Sequence, residues 1–225
     1  MCFSATASFS ASAVCAVVGV LALGRARRSD RLLAATPLVF AAHQAIEGYV
    51  WLTHAAGCGL YAAYTFTIVA FCLWPLYVPA ATWFSETDPG RRKIILAFGG
   101  LGVFMGADAA WTLTSGITID FASNQISYFP KGLYYRIFDY VYLACVVGPF
   151  FVHRNVYIKA FGGIVVAFFA IAVVFFNPAR FSVWCFFAAF SSLIIYLFVV
   201  SRDAAPSERD YDRSTVGPAK IPADA

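Results

Sequence analysis

The sequence predicts an all-α integral membrane fold: a bundle of seven transmembrane helices, with a small β-hairpin between the fourth and the fifth. Three observations lead there. The 225 residues are 61% hydrophobic and only 12% charged, whereas a soluble domain carries about 25% charged residues. The apolar residues gather in seven runs, at 6–24, 32–53, 60–84, 94–114, 134–153, 157–176 and 181–200, each close to the ~20 residues a helix needs to cross a bilayer. Thirteen of the sixteen lysines and arginines fall in alternate connections and in the tail, leaving Lys131, Arg136 and Arg180 on the other side. By the positive-inside rule this puts the N-terminus outside and the C-terminus in the cytoplasm of a cell (inner) membrane. The net charge of +4 reflects these loop arginines, and no nucleic-acid partner is implied.

The first run has its basic cluster after the apolar stretch rather than before it, so it reads as a retained helix and not as a cleavable signal peptide. The second carries His43 and Glu47 inside an apolar run. The third contains Pro75 and Pro79, which free backbone carbonyls and bend a helix. Gly99, Gly100, Gly102 and Gly106 make the fourth a helix that others approach closely; such contacts also allow a homo-oligomer. Between the fourth and fifth runs, the β-prone stretches 117–121 and 126–129 flank the polar residues 122–125, which predicts a hairpin that forms an outer lid. The fifth run aligns Tyr135, Asp139, Tyr142, Val146 and Pro149 on one face, the sixth is apolar all round, and the seventh aligns Ser182, Cys185, Ala189, Ser192 and Tyr196. Residues 1–200 thus form the membrane domain. The tail 201–225, rich in Pro, Ala, Asp and Arg, is expected to be disordered.

His43, Glu47, Trp51 and His54 lie along one helical stripe. An ionisable residue near the bilayer centre costs about 2.5–3.5 kcal/mol on insertion scales, so such residues usually face a partner, a cavity or an ion. At 1.5 Å per residue, Glu47 and Asp108 lie roughly 9–10 Å below the outer rim, Asp139 and Cys185 about 6–7 Å, and His43 about 15 Å. The half of the bundle toward the basic side has no such residue apart from flanking arginines. This asymmetry implies a pocket beneath the hairpin that opens outward, built by His43, Glu47, Trp51, Asp108, Asp139 and Tyr142. His43, Glu47 and Asp108, with Cys2 or Cys185, are also admissible ligands for a zinc or copper ion. Their spacing matches no diagnostic motif, and neither a serine-hydrolase elbow nor a lysine for a retinal Schiff base in the seventh run is present.

Four stretches carry a resemblance: Met1 to Phe9 (MCFSATASF), His43 to Trp51 (HQAIEGYVW), Leu73 to Pro79 (LWPLYVP) and Ser182 to Ala189 (SVWCFFAA). Together they resemble a family of bacterial multi-pass membrane proteins known only as a domain of unknown function. The likeness spans the membrane region and leaves out the tail. It implies that Cys2, Glu47, Trp51 and Cys185 belong to signature stretches, and that the N-terminal segment is a working part.

Three functional expectations follow from the residues. The first is binding or transport of a small molecule or ion, linked to a proton or cation, in the outward pocket. The second is a metal-dependent intramembrane enzyme acting on a lipid or small hydrophobic substrate, with one carboxylate as general base; only three histidines are available for it. The third is a seven-helix sensor or receptor. Cys2 is expected to fold back toward Cys185 at the outer mouth, while Cys58 stays accessible.

Overall fold

The computed structural model describes residues 4–54, 59–122, 125–131, 136–177 and 179–203. Cys2, Cys58, Tyr135 and the tail beyond residue 203 lie outside these residues, and so do the expectations placed on them. Seven helices are seen among the described residues: α1 (Ala5–Arg25), α2 (Arg31–His54), α3 (Leu60–Ser85), α4 (Pro89–Leu113), α5 (Arg136–Val152), α6 (Val156–Phe175) and α7 (Arg180–Asp203). Their bounds follow local chemistry. Ser4 accepts the amide of Ala7 to cap α1, Asp88 accepts that of Arg91 ahead of Pro89 in α4, and Asn155 accepts that of Tyr157 in α6; each is a preferred N-cap residue. The Asp88 cap starts α4 five residues before the apolar run, which brings Arg91, Arg92 and Lys93 into its first turns. Five helices (α1, α3, α4, α6 and α7) are long and apolar enough to cross a membrane.

Consecutive helices pack on one another, and α7 returns to α1 and α2, closing a ring. α1 and α4 present largely exposed apolar faces, with Val17, Val20, Leu96, Val103 and Phe104 among the exposed residues. The close approaches are made at glycines. A Cβ on Gly102 would lie 2.0 Å from the carbonyl oxygen of Pro75, and one on Gly106 would lie 3.4 Å from that of Cys72, so α4 rides on α3 at these two points. Gly100, on the other face, has open space around it.

Two helices depart from regular geometry. In α3, residues Val69–Leu73 form a π turn, with the amide of Trp74 reaching back to the carbonyl of Val69. The next amide in that pattern would belong to Pro75, which has none, so the carbonyl of Ala70 is left for another donor. The two-proline segment is therefore accommodated by widening one turn. In α7, Arg180–Ser191 and Leu193–Asp203 are separate helices broken at Ser192.

The hairpin is present: β1 (Ile117–Ala122) pairs antiparallel with β2 (Gln125–Pro130), Ile117 opposite Pro130 and Ala122 opposite Gln125. The pairing extends one residue further than expected, so the connection shortens to residues 123–124. Gly116, at φ 101°, makes the turn from α4 into β1. Tyr128 stacks on Phe66 at 4.3 Å between centroids, and Phe121 meets the edge of Trp51 at 5.6 Å. The hairpin thus closes over one end of the bundle, here the hairpin end. The other is the basic end, where Arg27, Arg91, Arg154 and Arg202 meet the helix connections.

Candidate functional site

Helix α2 supplies the centre of the site. His43, Gln44 and Glu47 have no solvent exposure. The indole N–H of Trp74 donates to Nδ1 of His43 at 3.4 Å. Because an indole only donates, Nδ1 is the acceptor and the ring proton sits on Nε2, which faces the carbonyl of Phe66 at 3.2 Å. Both ring nitrogens are therefore engaged by α3, and the ring also packs on Phe66 at 4.2 Å. His43 is a neutral brace between α2 and α3, placed directly under the Phe66–Tyr128 stack of the lid.

One turn further on, Glu47 points to α7 instead, where the hydroxyl of Ser182 donates to its Oε1. Cys185 follows Ser182 by three residues and lies on the same helical face; it is 5% exposed. Cys185 also lines a cavity of about 40 Å³, together with Trp74, Tyr142, Trp184, Phe40 and Ala188. The phenol of Tyr142 donates at 2.5 Å to the carbonyl of Ala70, the oxygen left over by Pro75. The indole of Trp184 donates to the carbonyl of Val165 at 2.8 Å. The cavity is thus an aromatic chamber whose polar edges are already held in place. It extends toward Thr36, Val78, Phe150 and Phe161, which lie nearer the basic end.

Several expectations are corrected. Asp108 is exposed on the outer face of α4 and does not share a layer with Glu47 inside the bundle. Equal depth did not mean equal direction. Asp139 pairs with Arg180 at 2.8 Å, both about a quarter exposed, at the start of α5 and α7 rather than in a pocket. Trp51 is half-buried against the lid. The chamber lies away from the hairpin, with no described hairpin residue in its lining. The proposed zinc or copper donors also come apart. His43 has both nitrogens engaged, Asp108 faces away, Cys2 is outside the described residues, and among the described residues no three His, Cys, Asp or Glu side chains converge on a metal position.

The half expected to lack polar groups holds a buried cluster. Asp30, Ser85, Glu86 and His153 are 0–2% exposed. Ser85 donates to Asp30 at 2.6 Å, and Arg202 pairs with Asp30 at 3.1 Å. Glu86 accepts the amides of Thr87 at 2.8 Å, Asp88 at 3.0 Å and Arg154 at 2.7 Å. Burial alone would raise the Glu86 carboxyl, but these amides hold it below the usual carboxylate value of 4.5. Tyr77 adds a hydrogen bond to the carbonyl of Leu32 at 2.6 Å just above the cluster.

The geometry defines a mostly helical bundle, with seven helices among the described residues, closed at one end by a hairpin and at the other by a polar clasp, around an aromatic chamber beside a buried carboxylate. The chain belongs to a family of unknown function, DUF6629, whose model matches residues 1–210. No curated protein and no solved structure matches it.

Proposed function

We propose that the chain is a seven-span protein of the cell membrane, with the hairpin end outside and the basic end in the cytoplasm, and that its interior binds a small guest in the aromatic chamber next to Glu47. Five apolar helices of spanning length and the one-sided arginines support the membrane placement. The observation that carries the binding reading is the shared wall: Cys185 borders the chamber and follows Ser182, the residue that engages the fully buried Glu47. A carboxylate kept in such a place usually has a function.

The chamber's size sets the guest's class. At about 40 Å³ it takes roughly three water-sized units, far below the ~300–1,000 Å³ of pockets for drug-sized ligands. The guest is a few heavy atoms, mainly apolar to suit the six aromatic rings, with a donor or positive charge directed at the Glu47 layer. Among the described residues the metal-enzyme reading lacks its donor set.

Small molecules released from protein purified in mild detergent and identified by mass spectrometry test this. The wild type should yield a compound near one equivalent. Ala188→Trp, which fills the chamber, should remove it, and Glu47→Gln should lower its recovery severalfold. A wild type that releases nothing, or a compound kept equally by Ala188→Trp, overturns the reading.

A further inference from the structure

The clasp at the basic end holds a buried imidazole whose contacts satisfy only one of its two nitrogens among the described residues. His153 lies in the connection between α5 and α6 with no solvent exposure. Its Nδ1 accepts the backbone amide of Asn155 at 3.1 Å. A neutral imidazole that accepts at Nδ1 carries its proton on Nε2, and that N–H has no hydrogen-bond partner among the described residues. Two carboxylates, Asp30 from the α1–α2 connection and Glu86 from the α3–α4 connection, and two guanidinium groups, Arg154 beside it and Arg202 from α7, act on the ring. Phe198 of α7 closes it off edge-on at 6.1 Å. With His153 neutral, the two negative and two positive charges balance.

We propose that this clasp is a proton-binding site, that His153 is the receiving group, and that its protonation opens the turn between α5 and α6. A second ring proton must sit on Nδ1. There it confronts the N–H of Asn155, donor against donor, and the contact that fixes the turn is lost. Asn155 is also the N-cap of α6 through the amide of Tyr157 at 2.9 Å, and the amide of Arg154 is one of the three that hold Glu86. A proton on one ring therefore reaches the start of α6 and the α3–α4 connection, while the added charge leaves the clasp with an uncompensated positive unit. Every connection at this end meets in the clasp, so its opening alters how the helix ends are tied together. The compartment whose acidity it reads is the one that faces the basic end.

The sign follows from the surroundings. Burial, the largest influence, pushes His153 below its ordinary value of 6.5; Glu86 and Asp30 pull it up, and Arg202 and Arg154 push it down. The folded chain thus binds this proton less readily than the unfolded chain. Stability is full above pH 6.5 and falls as the pH drops from there toward the folded value. Glu86, held below 4.5, titrates below that window.

Thermal midpoints of the full chain in detergent at pH 7.5 and 5.5 test the assignment, with His153→Gln as the variant. The wild type should lose about 2–4 °C on acidification, the change about one proton's linkage makes in a chain of this size, and His153→Gln should lose markedly less. Equal losses overturn the proposal. Should that variant fail to fold, hydrogen exchange of the wild type decides. After correction for intrinsic rates, amides 153–159 should exchange faster at pH 5.5 than at 7.5 relative to amides 160–175; unchanged relative protection overturns it.

Discussion

The hydroxyl of Tyr142 stands in for a backbone proton that proline lacks. The π turn aims the carbonyl of Ala70 at Pro75, and the phenol takes it at 2.5 Å. Removing only that hydroxyl leaves a buried acceptor unpaired, at a cost of about 1–3 kcal/mol. Tyr142→Phe should therefore lower the thermal midpoint by several degrees, while Tyr140→Phe, on the 70% exposed neighbour, should leave it within error. His43 illustrates the same economy. Its place in an apolar run marked it as special, and its role turned out to be a hydrogen-bonded brace between two helices. Glu47 was marked by the same signal and does reach a polar partner on another helix, Ser182, far away in sequence. The type of residue was readable from the chain; the partner was not, because it depends on which helices become neighbours.

Among elements, α3 and α4 show how a pair is set by absence of side chain. Gly102 lies so close to the carbonyl of Pro75 that a methyl group has no room, and Gly102→Ala should cost about 1–3 kcal/mol as overpacking. Gly100→Ala, on the open side, should be neutral or stabilise by up to about 1 kcal/mol through helix propensity. Thermal unfolding of the two variants side by side checks the contrast, and equal effects would contradict the packing described. The seven helices were legible because runs of about twenty apolar residues have few alternative readings, and the hairpin because two β-prone stretches flank a polar turn. The direction of Asp108 was not. Its helix has apolar residues all round, so the pattern does not say which face turns inward. The clasp escaped for a related reason. Asp30, Glu86 and His153 are single residues in polar connections, which normally read as solvated, and their burial arises only where those connections converge.

For the molecule as a whole, orientation is the property most open to a direct check. Gly24 is exposed near the basic end, and Lys131 is exposed beyond the hairpin. In intact cells a membrane-impermeant maleimide should label Lys131→Cys and spare Gly24→Cys, with the unsubstituted protein as background. The reverse pattern would invert the proposed topology, and equal labelling of both would remove the spanning arrangement.

The break at Ser192 gives α7 a mechanical character that a continuous rod would lack. The hydroxyl of Ser192 donates to the carbonyl of Ala189 at 2.5 Å, and the thiol of Cys15 on α1 reaches the same carbonyl at 3.3 Å. The helix is thus two levers meeting at a pinned fulcrum. The first lever holds Ser182 against Glu47 and Cys185 against the chamber; the second carries near its end Arg202, which grips Asp30. The break thus divides α7 between two attachments, the chamber wall before Ser192 and the clasp after it.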